Sequence, residues 1–253
     1  MILAIDAGNS RMKWGIFHGL GELKEQGVIT NSALASSHAP DAWQGCTSAV
    51  ISNVAGESVA GSIKGLLKAQ NIPSYSIKSS AQACNVINGY QLPEKLGTDR
   101  WAALIAAWDQ YHAPCVVVNA GTALTVDALG VNKDGRGIFL GGLIVPGLRL
   151  MEQSLTSATA DISHTSGRVQ YFPTSTGDAI YTGALSAMAG AVNSMLVKLE
   201  HHAGQVPCCI LSGGDAPLLQ DMLVRYQIEN MVLAENLVLQ GLVLLEKEMG
   251  KGA

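Results

Sequence analysis

Residues 2–10 read ILAIDAGNS, and residues 115–123 read CVVVNAGTA. Each is an apolar run that ends in Asp or Asn, followed by Ala-Gly and then an amide or hydroxyl residue. Each leads into a second β-like stretch, MKWGIF at 12–17 and LTVDAL at 124–129. The pattern describes a buried strand that ends in a tight turn and returns as a hairpin. Gly8 and Gly121 fall in those turns, where glycine tolerates positive φ and lets backbone N–H groups approach an anion. Two such turns, one in each half of the chain, suit a polyphosphate gripped from both sides. That implies a nucleotide-handling enzyme built from two similar domains.

Outward from the hairpins, the first half has strand-like segments near 1–6, 12–18 and 23–29, then a Ser/Ala-rich stretch from Asn31 to Gly45. Ser48 to Val54 reads as a buried strand, Ser58 to Gln70 as a helix and Ser74 to Ile77 as a short strand. A long helix is expected from about Gly97 to His112. Leu104, Ala107 and Trp108 form its apolar face, and Asp99 sits in its first turn, where an acid suits the helix dipole. The second half, from about Ala113, repeats the scheme. Strands are expected at 115–120, 122–129 and 137–144, helices at Leu148–Leu155 and Asp178–Glu200, a strand at 207–212, and helices from Pro217 and Leu233. Strands followed by α/β alternation, twice over, place the chain in the α/β class. Gly183, Ala187 and Gly190 give the long helix a small-residue face, suited to close packing within the chain or across a dimer.

Composition excludes several functions. Of 253 residues, 48% are hydrophobic and only 14% charged, with a net charge of −4. This is a folded chain, and its low charge fits either subunit association or a surface rich in small residues. No run of Lys or Arg occurs and aromatic residues are only 5%, which argues against nucleic acid, whose phosphates need clustered cations. The apolar segment Met231 to Leu245 is interrupted by Glu235, Asn236 and Gln240 and is too short to span a membrane. No basic region precedes Asp6, as a secretory signal would require. Cys46, Cys84, Cys115, Cys208 and Cys209 contain no CxxC pair and read as reduced thiols of a cytoplasmic protein.

Several constellations can carry chemistry. Asp6 ends a buried strand beside a phosphate-type turn, which suits a carboxylate that holds Mg²⁺ directly or through water. It equally suits an Asx turn capping its own backbone. Asn9, Ser10, Arg11 and Lys13 extend the hairpin. Arg11 and Lys13 share a strand face, within reach of phosphate oxygens or on a solvated sheet edge. Gly97-Thr98-Asp99-Arg100 opens a helix, whose free N–H groups attract an anion. There Asp99 can take a proton from a substrate hydroxyl and Arg100 can clamp a carboxylate or phosphate. An N-cap with a surface ion pair is the competing reading. Tyr90 adds a recognition group to the same loop, and Thr122 in the second turn can donate to a phosphate oxygen. GGLIVPG at 141–147 reads as a strand-to-helix bend at a subunit contact, and SGGDA at 212–216 as bare backbone for an adenosine or as a plain βα turn. Neither a Walker lysine motif nor GxGxxG is present, which sets aside the P-loop and Rossmann folds.

These residues lie in segments that resemble one family. IDAGNSRMKWGIF at 5–17, GYQLPEKLGTDRWAALIAAW at 89–108, VVNAGTALTVDAL at 117–129, GGLIVPGL at 141–148, STGDAIYTGAL at 175–185 and LSGGDA at 211–216 are similar to type III pantothenate kinase. They match in order over nearly the whole length, and GTDRW is the most family-specific. The family includes Bvg accessory factor homologues and belongs to the acetate and sugar kinase/Hsp70/actin superfamily. The resemblance implies two ribonuclease-H-like (actin-like ATPase) domains, 1–113 and 114–253, the second with a dimer interface. It implies ATP-dependent phosphorylation of pantothenate to 4'-phosphopantothenate, the first step of coenzyme A synthesis, by a cytoplasmic homodimer. By position, Asp6, Ala7, Gly8, Asn9, Ser10, Arg11, Met12 and Lys13 would bind ATP phosphates, with Mg²⁺ at Asp6, and Thr122 would contact ATP. Asp99 would be the general base, and Tyr90, Gly97, Thr98, Asp99, Arg100 and Thr176 would bind pantothenate. In many members the position of Asn119 is an Asp that binds K⁺ or NH₄⁺. The amide here lacks that charge, so weak cation dependence is expected. The fold alone also suits a non-catalytic ATP-binding regulatory accessory protein, or a kinase for another small hydroxy acid.

Overall fold

Leu3, Ala4, Ile5 and Ala7 are buried on both faces of their strand, which explains a continuous apolar run in place of alternation. In the computed structural model, which describes residues 1–19, 21–158 and 167–251, this strand is central. β1 (Ile2–Ala7) pairs antiparallel with β2 (Arg11–His18), and β2 pairs antiparallel with β3 (Glu22–Thr30). The one-turn helix α1 (Asn31–Leu34) precedes β4 (Ser48–Asn53), which runs parallel to β1. Helix α2 (Glu57–Ala69) then leads to β5 (Ser74–Ser76), parallel to β4. The sheet order is β3-β2-β1-β4-β5. A small hairpin, β6 (Gln82–Ala83) and β7 (Val86–Asn88), precedes helix α3 (Thr98–Tyr111).

The scheme then recurs. β8 (Cys115–Ala120) pairs antiparallel with β9 (Ala123–Val131), and β10 (Gly137–Pro146) lies beside β9. Helices α4 (Leu148–Ala158) and α5 (Thr176–Ala203) follow. β11 (Cys208–Ser212) runs parallel to β8, and after α6 (Ala216–Arg225) β12 (Met231–Leu233) runs parallel to β11. The order β10-β9-β8-β11-β12 matches that of the first sheet strand for strand. Helix α7 (Leu237–Lys251) closes the chain. The result is an α/β protein with two mixed sheets flanked by helices, the class implied by the sequence.

The chain divides into two compact units. One comprises Met1–His112, Arg136–Ile138 and Asn236–Ala253, and the other Ala113–Gly135 and Phe139–Glu235. In the first, Leu3, Ile5, Met12, Trp14, Trp43, Ile51, Ile63 and Leu67 form one core. In the second, Val116, Val118, Leu124 and Val126 of the sheet pack with Leu185, Met188, Val192 and Met195 of α5. Among the described residues, α5 is the one helix long and apolar enough to cross a membrane. Its apolar side makes the core of the second unit.

Helix α7 belongs to the first unit, although it ends the second half of the sequence. It lies against α3 so closely that a Cβ on Gly241 would collide with the Ala102 carbonyl. Its Glu246 accepts a hydrogen bond from Ser48 Oγ at 2.7 Å. Its Glu248 carboxylate accepts the Cys84 N–H at 2.8 and 2.9 Å, capping the β6–β7 turn.

Three local expectations change. A helix expected from Leu233 begins only at Leu237, because Met231–Leu233 pairs with β11 and Asn236 turns left-handed with φ 57°. Three edge residues carry too little periodicity to announce a strand. Likewise β6 and β7 were not expected, since they meet through two consecutive left-handed residues, Cys84 and Asn85, at φ 47° and 61°. The Ser/Ala-rich stretch, for which no element is expected, opens with α1, packed against β3 and α2. Gly241→Ala is expected to lower the urea unfolding midpoint, with a loss of about 1–3 kcal/mol from overpacking. Gly250→Ala, on the same helix with open space around it, should leave the midpoint unchanged or raise it.

Candidate active site

The register of β1 puts Asp6 opposite Lys13 on β2 and opposite Ser52 on β4. The three form one row across the sheet. Asp6 is half-buried as a residue, but its Oδ1 is covered and has no hydrogen-bond partner among the described residues. Burial, and then the negative charge of Asp99, push its carboxyl up to about 7, while Lys13 pulls it down. A carboxylate in this setting gains from a cation at its side. Among the described residues no three His, Cys, Asp or Glu side chains cluster to hold a metal. The covered, partnerless Asp6 oxygen is a hard donor of the kind that would fit Mg²⁺.

Beyond Asp6, the Gly8 N–H donates to the Arg11 carbonyl at 3.1 Å and closes the turn. Asn31 holds this turn from behind. Its Nδ2 donates to the Gly8 and Asn9 carbonyls, each at 2.9 Å, and its backbone N–H donates to the Ser10 carbonyl at 3.1 Å. Asn9, Ser10 and Arg11 are exposed and Lys13 is half-buried. Ala7 and Met12 point into the core, so only their backbone is available to a ligand.

The start of α3 is tied to the same row. Thr98 Oγ1 lies 2.8 Å from Oγ of the buried Ser52. The Gly97 carbonyl accepts the Trp101 N–H at 2.9 Å, and Asp99 Oδ1 accepts the Arg100 N–H at 2.9 Å. Arg100 is buried. Its Nη1 donates to the Tyr90 hydroxyl at 2.9 Å, and its Cζ lies 5.6 Å from the ring centroid. Asn88 shapes the loop that carries Tyr90, accepting the Tyr90 N–H and donating to the Ser80 and Pro93 carbonyls, all at 3.1 Å. The first unit thus gathers Asp6, Lys13, Thr98 and Asp99 around one row, with the Tyr90–Arg100 pair on the same helix start.

In the second unit, Asn119 ends β8 opposite Thr125 on β9 and Ser212 on β11. The Gly121 N–H donates to the Ala123 carbonyl at 3.1 Å, and this turn too is held from behind. The Asp215 N–H donates to the Ala120 carbonyl and the Gly147 N–H to the Thr122 carbonyl, each at 3.0 Å. Gly213 has φ 102°, and a Cβ there would collide with the Ala120 carbonyl. One on Gly147 would collide with the Gly121 carbonyl. The GGLIVPG and SGGDA segments are therefore braces of the second turn. Thr176 is the exposed first residue of α5, beside Ser175, whose Oγ accepts the Asp178 N–H at 3.2 Å.

Sequence reasoning missed Asn31, Ser52 and Asn88. The one local signal is Ser52-Asn53, a polar pair ending an otherwise apolar strand.

A family model described as type III pantothenate kinase matches residues 2–198. The chain belongs to the type III pantothenate kinase family. A type III pantothenate kinase of Methylobacillus flagellatus is 44% identical over 248 residues, covering 97% of this chain and 98% of the relative. A crystal structure of a conserved Baf family protein from Campylobacter jejuni superposes with a TM-score of 0.61 at 21% identity, covering 98% and 99% of the two chains. The activator of 2-hydroxyisocaproyl-CoA dehydratase from Clostridium difficile, solved with bound ADPNP, gives 0.51 at 10% identity over 99% and 96%. The last two likenesses are of fold, which is the actin-like ATPase fold. As a member of its family the chain is a pantothenate kinase, a phosphotransferase.

The raised carboxyl of Asp6 sets a pH test on the metal-free kinase. The folded state holds this proton up to about pH 7, whereas the unfolded chain releases it near 3.8. The stabilising contribution is complete below the unfolded value and is lost as pH climbs through the folded one. Asp6→Asn should therefore stabilise the fold at pH 8 by an amount on the order of 2–4 kcal/mol, seen as a higher thermal midpoint, and have little effect near pH 4. Thermal melts at the two pH values check this.

Proposed function

We propose that this kinase transfers the γ-phosphoryl group of ATP to the primary hydroxyl of pantothenate, giving 4'-phosphopantothenate and opening coenzyme A synthesis. The observation that carries the reading is the placement of Asp99. A carboxylate in the first turn of α3 is held, through Ser52 and Thr98, beside the row that contains Asp6. Family membership supplies the substrate class.

In this reading, backbone N–H groups of the Gly8–Ser10 turn, with Arg11 and Lys13, take phosphate oxygens, and Thr122 contacts ATP. Asp6 would hold Mg²⁺, which would neutralise charge on the phosphates. Arg100 clamps the pantothenate carboxylate, and Tyr90, Gly97, Thr98 and Thr176 complete that recognition. Asp99 accepts the hydroxyl proton as the oxygen forms its bond to the γ-phosphorus and the bond to ADP breaks. Little covalent work falls to the protein, and positioning is most of the catalysis.

The same reading includes a cytoplasmic homodimer. The small-residue face of α5 supports it, since Gly183 and Ala187 are exposed and a Cβ on Gly183 or Gly190 would meet nothing within 4 Å. It also includes a weak role for monovalent cations, because Asn119 offers a neutral oxygen where a carboxylate would offer a full charge.

Asp99→Asn should keep the fold and ATP binding and lose turnover by roughly 10²–10⁴. Pantothenate-dependent ADP release measures it, and an undiminished rate would remove Asp99 from the mechanism. Titration of K⁺ or NH₄⁺ into a Tris-buffered assay should change the native rate little. Asn119→Asp should make the response steeper. Strict, saturable K⁺ dependence in the native protein would show that neutral oxygens suffice.

A further inference from the structure

Asn31 lies outside every segment that carries the family resemblance, yet it makes three hydrogen bonds to the first turn. Both partners of its side chain are carbonyls, which only accept, so only its NH₂ end can face them. Its own Oδ1 is left buried with no hydrogen-bond partner among the described residues. That orphaned acceptor is a cost to the fold. What the arrangement secures is the direction of three consecutive carbonyls.

In a planar trans peptide, the C=O of one residue and the N–H of the next point opposite ways. Holding the Gly8 and Asn9 carbonyls toward Asn31 therefore turns the Asn9 and Ser10 N–H groups away from it. Without a brace, a turn containing glycine has other backbone conformations open to it. The second turn shows the same task done differently. There main-chain N–H groups of Asp215 and Gly147 hold the Ala120 and Thr122 carbonyls at 3.0 Å. A main-chain brace has no side chain to lose, whereas the first turn depends on one amide.

We propose that Asn31 is a positioning residue for ATP, pre-orienting the Asn9 and Ser10 N–H groups toward the phosphates. This rests on the reading of the Gly8–Ser10 turn as the phosphate site. Hydrogen bonds from aligned donors to charged oxygens are the strong ones, and they are lost when the donors wander.

The test is steady-state kinetics of Asn31→Ala and Asn31→Asp, with ATP and pantothenate varied separately. KM for ATP should rise about tenfold or more. kcat should stay within about threefold and KM for pantothenate within about twofold, since saturating ATP offsets a loss of uniform binding. Asn31→Asp, which only accepts and adds negative charge, should be worse than Asn31→Ala. Asn31→Ser keeps a donor and should fall between the native protein and Asn31→Ala. It becomes the deciding variant if Asn31→Ala does not fold. A merely structural role would lower the active fraction, and so kcat, with KM for ATP unmoved, and that result overturns the proposal. Calorimetric titration with Mg²⁺ and a non-hydrolysable ATP analogue should show the same loss of affinity. It also separates the two readings. A native protein that releases no ADP in response to pantothenate refutes the kinase reaction, while the analogue's affinity still decides the role of Asn31.

Discussion

The pairing of β1 with both of its neighbours is the constraint on which the candidate site depends. Antiparallel register with β2 brings Lys13 beside Asp6, and parallel register with β4 brings Ser52 to its other side. A slip of one residue would send Asp6 to the opposite face of the sheet. The apolar residues Leu3, Ile5 and Ala7 forbid that slip, because all of them are packed in the core of the first unit. From that row the rest follows. Ser52 meets Thr98, Thr98 fixes the start of α3, and α3 presents Asp99 and Arg100. Packing energy thus sets the position of the acids.

Much of this was legible in the residues. The two strand-turn-strand runs announce themselves because their first strands are buried on both faces and break off at a polar residue, although Gly8 and Gly121 keep φ values open to any residue and a Cβ on either would make only ordinary contacts. The start of α3 is legible because an acid in a first turn and a glycine before it are local features. Asp6, Lys13, Tyr90, Thr98, Asp99 and Arg100 could therefore be named from sequence, and the structure places them in one unit. Asn31, Ser52 and Asn88 could not. Each acts through a hydrogen bond whose partner is set by tertiary register or loop path, and a polar residue near a strand end has many ordinary reasons to be there. Strands β6, β7 and β12 are two or three residues long, below the length at which periodicity means anything.

The duplication is also less symmetric than the sequence suggests. Strand order repeats, and so do the helices between the fourth and fifth strands of each sheet, α2 and α6. The devices that hold the turns do not repeat. One turn is braced by an asparagine side chain and the other by backbone from two glycine-containing segments. Glycine in the second case is required by space, since the braces approach the turn more closely than any side chain allows.

The return of α7 to the first unit has a consequence for how the protein is made. Ser48 waits for Glu246, Cys84 for Glu248, and the backbone of Ala102 for Gly241. A ribosome delivers the N-terminal residues first, but these contacts of their unit cannot form until α7 emerges. The second unit has all of its chain in hand by Glu235. Order of synthesis and order of completion are thus reversed. Until α7 has emerged, α3 exposes the apolar side that α7 will cover, the kind of transient surface on which nascent chains aggregate.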